Sequence, residues 1–322
     1  MTAAGEVADD RGWAAQAVCL RLDQAAVEAI DALDAAGVRT LLLRGPVIAG
    51  WLFGDAPHER TYVDIDLMVS SDDLDRARDV LSALGFGPQG VLRFRPERLA
   101  PKHAEAWFLA GDGITIDLHR AVHGLEAARP QVIWEAATRH TSTMTVLGRA
   151  VEVPGEAFRA LHVVLHAADR LSAPGPRRDL ERAVVGLDVV IWQQAVALAD
   201  ELDVVDVMGP VLRTVPGGDD VADALGLGHR WPATLYTAAS DERSTVRFAA
   251  SLIDASWRDR LRLVTRKVFP SSAYLRASSP LARRGPFGLA LAYAVRPALL
   301  PIKLPGVVRG LVRSRRRARQ PR

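Results

Sequence analysis

Cysteine is nearly absent from this 322-residue sequence, in which Cys19 is the single one. One thiol excludes an intramolecular disulfide framework and a cysteine-rich zinc module, and it is typical of a reducing compartment such as the cytoplasm. Long apolar runs are also missing, because no stretch reaches the ~18 uninterrupted apolar residues of a membrane-spanning helix. The first residues, MTAAGEVADDRGW, lack both a basic and an apolar segment, so we predict no secretory signal. With 49% hydrophobic and 25% charged residues, the chain has the composition of a globular protein, which excludes general disorder and a collagen-like fibre.

Acidic residues are missing from the last part of the chain. Residues 261–322, called the basic tail below, contain fifteen Lys and Arg and no Asp or Glu. The whole chain has 41 basic and 38 acidic residues, so residues 1–260 hold 26 basic and 38 acidic side chains, a net charge of −12. Basic tails bind anionic membranes or nucleic acid, and others are partly docked and partly disordered. The sequence leaves these three interpretations open.

Secondary-structure signals divide the chain into three regions. We expect an α/β core at 13–153, a helical region at 154–260 and then the basic tail, which prolines interrupt. Within the helical region, a Gly- and Pro-rich stretch at 209–232 predicts a loop. Gly111-Asp112-Gly113 predicts a hairpin turn between two strands. The elements predicted for the core are helices at 22–36, 46–54 and 72–84, strands at 38–45, 63–69, 104–110 and 113–119, and a hairpin at 142–154.

Two carboxylates share one face of the predicted strand 63–69. Side chains alternate along a strand, so Asp64 and Asp66 point the same way while Val63 and Ile65 point into the core. Such carboxylates repel unless a cation lies between them, and at least one should therefore have a raised pKa. Mg²⁺ prefers carboxylate oxygen ligands. The alternative is a solvated edge strand with two exposed acids.

The later strand ITIDLH repeats this pattern. Thr115, Asp117 and His119 share the face opposite its apolar residues. If this strand pairs near residues 63–69, Asp117 becomes a third carboxylate. Three acids can hold two metals ~3.5–4 Å apart, an arrangement that serves phosphoryl and nucleotidyl transfer. His119 is either a contact to substrate or water near this site or a histidine whose bonds are satisfied within the sheet.

The segment Leu43-Arg44-Gly45-Pro46 predicts a strand end, a glycine turn and a helix start. Helix N-termini attract phosphate, and Arg44 would add an always-charged contact close to Gly45. The alternative is an ordinary strand-to-helix turn. Arg60, four residues before Asp64, is a second phosphate contact, a counter-charge for the acids or a solvated loop arginine.

Other potentially reactive residues favour packing roles. His162 and His166 have the i, i+4 spacing of a zinc pair, but no Glu follows His162 as the metalloprotease motif requires. We therefore predict a packed or partly exposed histidine face. Cys19 lies in a predicted helix, where packing is favoured over a nucleophilic role.

Together these motifs resemble the polymerase-β-like nucleotidyltransferase superfamily: a glycine turn before a helix, then Asp-Ile-Asp, then a strand with one acid. More closely, LLLRGPVIAGWLFG, RTYVDIDLMVSSDDLDRARDVLSALGF and ITIDLH resemble an uncharacterised bacterial nucleotidyltransferase family, and FPSSAYLRA in the tail looks similar to it. The resemblance implies an α+β fold, with a mixed β-sheet core, packed helices and a helical C-terminal region. It also implies Asp64, Asp66 and Asp117 as metal ligands. One departure is Gly45-Pro46, where the superfamily usually has Gly-Ser or Gly-Gly, because Pro46 has no N–H to offer a phosphate.

The expected function is therefore Mg²⁺- or Mn²⁺-dependent transfer of an NMP group from an NTP to an acceptor. Asp64 and Asp66 would hold both metals, Asp117 would hold the catalytic metal and help activate the acceptor hydroxyl, and Arg44 with Gly45 would contact the triphosphate. The acceptor is left open among a sugar or polysaccharide precursor, a small molecule, RNA and a protein. The expected location is the cytoplasm, with peripheral membrane contact through the basic tail as an option. The alternatives are a nucleotide-binding module that has lost turnover and a membrane-surface interaction protein.

Overall fold

A five-stranded mixed sheet forms the centre of the protein, as the resemblance implies. The computed structural model describes residues 3–54, 56–88, 103–109, 113–125, 128–171, 173–231, 281 and 285–298. The strand order is β1-β2-β5-β4-β3, in which β2 and β5 run parallel and the other neighbours run antiparallel. The strands are β1 (Thr40–Leu42), β2 (Ile65–Val69), β3 (Phe86–Pro88), β4 (Ala104–Leu109) and β5 (Ile114–His119).

One face of the sheet is covered by two helices, α1 (Ala3–Ala35) and α3 (Leu74–Ala83). The predicted apolar stripe of α1 is confirmed, because Leu22, Ala26, Ile30 and Leu33 are all buried. The predicted hairpin also forms, as β6 (Thr141–Val146) and β7 (Arg149–Pro154), and its valines join this core. The helix α1 extends further toward the N-terminus than the predicted start at residue 22.

The other face carries most of the helices. Met68 of β2, which alternates with the residues that face α1, lies in a second apolar core with Leu41 and Leu43. Because this core contains residues of both the predicted α/β core and the predicted helical region, the two regions pack as neighbours; the proposed domain boundaries stay a prediction. The helices of this side are α2 (Pro46–Leu52), α4 (Pro130–Thr138), α5 (Glu156–Asp169), α6 (Pro174–Gly186), α7 (Val189–Glu201), α8 (Val205–Leu212) and α9 (Gly218–Ala224).

Two local predictions are wrong. The strand β2 begins at Ile65, and Val63 is 76% exposed in a bend before it, so Val63 does not face the core. The supposed loop at 209–232 contains the end of α8 and all of α9. Its glycines serve close packing: a Cβ on Gly209 would lie 2.1 Å from the carbonyl oxygen of Gly228, and one on Gly218 would lie 1.8 Å from that of Leu212.

The basic tail is described only at residue 281 and in a last helix, α10 (Gly285–Ala298). Leu281, Leu289, Ala292 and Tyr293 pack together there. Among the described helices, none combines the length and the apolar composition that a membrane crossing requires. The predicted turn at Gly111-Asp112 and the segment FPSSAYLRA lie outside the described residues.

Candidate active site

The parallel pairing of β2 and β5 brings the predicted acids of the two strands together. Asp66 lies directly opposite Asp117 in this register, and Met68 lies opposite His119. One carboxylate oxygen each from Asp66 and Asp117 and one ring nitrogen of His119 lie within 4.8 Å of one another. Two carboxylates and one imidazole at this spacing form a donor set that suits a divalent cation.

Asp66 is the most deeply buried carboxylate of this site, at 3% exposure. Its Oδ1 lies 2.9 Å from His119 Nε2, and its Oδ2 lies 3.5 Å from Arg44 Nε without a hydrogen bond. Burial by itself would raise the pKa of Asp66, but the charges of Arg44 and His119 outweigh it and hold that pKa well below its usual range. The carboxylate is therefore ionised and one of its oxygens has no donor.

His119 has a fixed orientation. Its Nδ1 lies 3.1 Å from the carbonyl oxygen of Ala121, which can only accept, so Nδ1 carries a proton and Nε2 faces Asp66. Burial opposes the charged ring, yet the hydrogen bond and the charge of Asp66 raise the pKa of His119. The sequence left two interpretations of His119: a contact to substrate or water, and a histidine whose bonds are satisfied within the sheet. In the structure both ring nitrogens have partners within the protein, and the ring is also part of the acidic site.

Asp117 and Asp64 have raised pKa values, as expected for clustered acids. For both, burial is the larger cause, and the charge of Asp66 adds to it. Asp64 lies in the bend before β2 and is outside the mutually close set of Asp66, Asp117 and His119. The charges of Arg44 and of Arg170, at the end of α5, partly offset the rise at Asp64. No sequence signal connected Arg170 with this site, since it lies 106 positions from Asp64 in the printed chain.

The glycine turn holds Arg44 beside Asp66. Gly45 has φ 67° and ψ −117°, and a Cβ there would lie 3.3 Å from the Tyr62 ring, so the position requires glycine. Two nearby helix amides are already in use: Val47 N–H donates to the carbonyl of Arg44, and Ala49 N–H donates to that of Gly45. For binding phosphate, the turn therefore provides the Arg44 side chain more readily than a row of free backbone amides.

Arg60 lies in a buried ion pair with Asp179 of α6. Its Nε and Nη2 donate to the two carboxylate oxygens at 3.0 and 2.8 Å, and its Nη1 donates to the carbonyl of Thr61 at 3.2 Å. Burial by itself would lower the pKa of Arg60. The hydrogen bonds and charge of Asp179 and the charges of Asp66 and Asp64 outweigh this effect and raise that pKa. All three guanidinium nitrogens thus have partners within the protein.

A second set of contacts from α6 holds the segment that precedes Arg60. Arg178 and Arg182 both reach the Glu59 carboxylate, and both guanidinium groups lie over the Phe53 ring at 5.2 and 5.1 Å. This contribution of α6 left no signal in the sequence, because nothing local links residues more than 100 positions apart.

His162 is buried and His166 is half-buried in α5, on the same side of the sheet. Burial, with the nearby Arg44 charge, lowers the pKa of His162 to about 3 and lowers that of His166 as well. In the described part of the chain, the only cluster of acids and histidines close enough to share an ion is that of Asp66, Asp117 and His119. The buried His162 and the half-buried His166 agree with a packed or partly exposed histidine face on α5.

Comparison with known families decides the classification. The sequence model of a family described as uncharacterised nucleotidyltransferase matches residues 13–215, more than half of the chain. The chain belongs to this nucleotidyltransferase family. The matched residues contain the sheet, the acidic site and the helices α5 to α8 of this chain.

Two solved structures are similar to this member of the family. One is the antibiotic-resistance factor ANT(2'')-Ia, with 16% identity and a TM-score of 0.40 over 56% of this chain and 92% of that one. The other is an antigenic nucleotidyltransferase-like protein from Paracoccidioides brasiliensis, with 16% identity and a TM-score of 0.39 over 63% of this chain and 92% of that one. No curated protein sequence matches.

Proposed function

We propose that this protein transfers an NMP group from an NTP to an acceptor hydroxyl with the help of Mg²⁺ or Mn²⁺. The bond that forms joins the acceptor oxygen to the α-phosphorus, and the bond that breaks joins this phosphorus to the oxygen leading to the β-phosphate. Pyrophosphate leaves, and the hydroxyl proton passes to a base of the site. The observation that carries the proposal is the register of β2 and β5, which sets Asp66 and Asp117 side by side with Arg44 next to them.

The carboxylates have distinct roles in this proposal. Asp64, Asp66 and Asp117 hold divalent metal, which when bound lowers the pKa of the attacking hydroxyl and stabilises the leaving phosphates. Asp66 is the constant anion of the site, because its pKa is held low. Asp117 has a raised pKa and intermediate exposure, which suits a group that helps to activate the acceptor hydroxyl.

The cationic residues divide between substrate and scaffold. Arg44, held by the Gly45 turn and about one-fifth exposed, contacts the triphosphate. Arg60 serves as a counter-charge for the acids and as an anchor of their loop, since Asp179 and a backbone carbonyl already occupy its guanidinium. Arg60 therefore supports the site without contacting substrate, and Arg44 makes the direct phosphate contact.

Transfer from α-labelled NTPs to components of a cell extract tests the proposal. Each of the four NTPs is supplied with Mg²⁺ or Mn²⁺, and the acceptor is then identified from the labelled product as a sugar or polysaccharide precursor, a small molecule, RNA or a protein. Asp66→Asn should abolish transfer with the fold intact. Asp72→Asn, an exposed acid outside the site, is the matched control and should keep full activity.

A protein that binds nucleotide without turnover is the alternative that Gly45-Pro46 favours. Binding of an NTP that Asp66→Asn weakens, without transfer in any of the eight NTP and metal combinations, would establish it. Full transfer by Asp66→Asn would instead place the chemistry elsewhere in the protein.

A membrane-surface role is the second candidate, and α10 favours it. Phe287 is 89% exposed and Leu291, one turn later, is also exposed, in a tail that has fifteen basic and no acidic residues. Such a helix suits the surface of an anionic bilayer and would make a cytoplasmic protein peripheral to the membrane. Phe287→Glu should reduce co-sedimentation with phosphatidylglycerol vesicles, whereas Val190→Glu, at an exposed valine of α7, should not. Binding to RNA in place of vesicles would contradict this role.

A further inference from the structure

We propose that His119 supplies a nitrogen ligand, so that the metal centre is Asp66, Asp117 and His119 and prefers a first-row transition-metal ion such as Mn²⁺ over Mg²⁺. The inference deepens the proposed function, on which it rests for the reaction that the ion serves. Binding of the ion can nevertheless be measured without any turnover.

The spacing of the donor atoms is the first argument. One oxygen each from Asp66 and Asp117 and one nitrogen from His119 lie within 4.8 Å of one another. Two ligand atoms on one ion at about 2.1 Å lie at most about 4.2 Å apart, so a small side-chain adjustment closes the set around an ion. Strand alternation holds Asp117 and His119 on one face of β5, and the register holds Asp66 beside them.

The orientation of the imidazole is the second argument. Nδ1–H donates to the Ala121 carbonyl at 3.1 Å, which leaves Nε2 as the atom directed at the acids. Histidines that bind metal usually donate their other ring N–H to a carbonyl or carboxylate in this way. The ring is buried and cannot turn out to solvent, so binding exchanges the hydrogen bond between His119 and Asp66 for bonds from both side chains to the ion, and the proton on Nε2 is released to solvent.

The third argument is the buried Oδ2 of Asp66. It makes no hydrogen bond, and its nearest cationic partner is Arg44 Nε at 3.5 Å. A buried polar atom without a partner is costly, and buried carboxylate oxygens normally have donors or ions. A metal ion on this face of Asp66 would satisfy the oxygen.

The donor chemistry decides which ion fits. Mg²⁺ prefers oxygen ligands and near-ideal octahedral geometry, whereas imidazole suits Fe²⁺, Ni²⁺, Cu²⁺ and Zn²⁺, and a set of two carboxylates and one imidazole also suits Mn²⁺. Asp64 lies outside the close set, in the bend before β2, and remains available for a second ion or a bound nucleotide. The nitrogen therefore shifts the preference of the central site away from Mg²⁺.

Electron paramagnetic resonance of Mn²⁺ bound to the full-length protein, without nucleotide, tests the inference. Electron spin echo should show modulation from a directly bound ¹⁴N, and competition should show tighter binding of Mn²⁺ than of Mg²⁺. His119→Asn should remove the nitrogen signal and weaken Mn²⁺ binding at least ~10-fold, since even residues that only support a ligand contribute that much. His123→Asn is the matched control, because this histidine lies near the site but pairs with Asp169 and is not in the close set.

Two results would overturn the inference. One is bound Mn²⁺ that depends on Asp66 but shows no nitrogen coupling, which would make His119 only a hydrogen-bond donor to Asp66. The other is an Mn²⁺ affinity equal to that for Mg²⁺. If His119→Asn fails to fold, the ¹⁴N signal of the unaltered protein decides. Nitrogen coupling without nucleotide transfer would sink the proposed function and leave this inference standing, and transfer without coupling would do the reverse.

Discussion

The buried ion pair between Arg60 and Asp179 should contribute far more to stability than the surface pairs of this protein. The two side chains are 10% and 5% exposed and share two hydrogen bonds of 3.0 and 2.8 Å. Asp179→Ala would leave the guanidinium buried without its carboxylate. Removing one partner of a buried pair typically costs about 3–5 kcal/mol. We expect about 3 kcal/mol, the lower end, because Asp64 and Asp66 also stabilise the charge of Arg60.

Urea unfolding followed by circular dichroism measures this free energy. The matched control is Glu201→Ala, which breaks a bidentate pair with Arg139 at 2.7 and 2.6 Å; these two side chains are 42% and 47% exposed. Solvent screens such a pair, so its loss should cost less than about 1 kcal/mol. If Asp179→Ala costs no more than Glu201→Ala, the argument from burial is refuted.

A double variant separates anchoring from phosphate binding. Arg60→Met with Asp179→Leu replaces both charges by apolar groups, and such replacements are often neutral in stability. The double variant should therefore recover most of what Asp179→Ala loses. A strong loss of NTP affinity in this stable double variant, as large as that caused by Arg44→Ala, would show that Arg60 contacts phosphate directly.

Two further predictions follow from single residues. Gly45→Ala should destabilise by about 1–3 kcal/mol and lower nucleotide transfer, because the backbone there is strained for alanine and the Tyr62 ring lies 3.3 Å from the new Cβ. Gly37→Ala, also at positive φ but with nothing within 4 Å, should leave transfer unchanged, and equal loss of transfer in both variants would contradict the role of the turn. His162 should make the protein acid-sensitive: with its pKa lowered from 6.5 to about 3, the unfolded chain binds one more proton between these values. Stability is thus full above pH 6.5 and falls by up to ~1.4 kcal/mol per pH unit below it. Urea midpoints across this range should fall less steeply for His162→Leu and as steeply as before for His58→Leu, an exposed histidine; parallel curves for all three proteins would refute the assignment.

The sequence by itself determined the face on which each strand residue lies. Side-chain direction alternates along a strand for purely local reasons, so Asp66 and Asp117 could be assigned to the polar faces of their strands before any pairing was known. The apolar stripe of α1 and the glycine turn at Gly45 were predictable for the same reason, because helical period and backbone conformation depend on neighbouring residues. Even here the start of β2 was misplaced by two residues, which moved Val63 from core to surface.

Only the tertiary structure decided which of these residues meet. The register that sets Asp66 opposite Asp117 depends on two strands separated by about fifty residues, and the partner of Arg60 lies 119 positions away on α6. Likewise Gly209 and Gly218 contributed to the signal of a loop, although a backbone carbonyl lies too close to each of them for a Cβ. Such long-range contacts cannot be predicted from the periodicity of the sequence, because each residue type is compatible with many partners and only packing selects one. The local pattern of this chain therefore predicts the donor atoms, with Asp117 and His119 on one face of β5, and the fold brings Asp66 beside them.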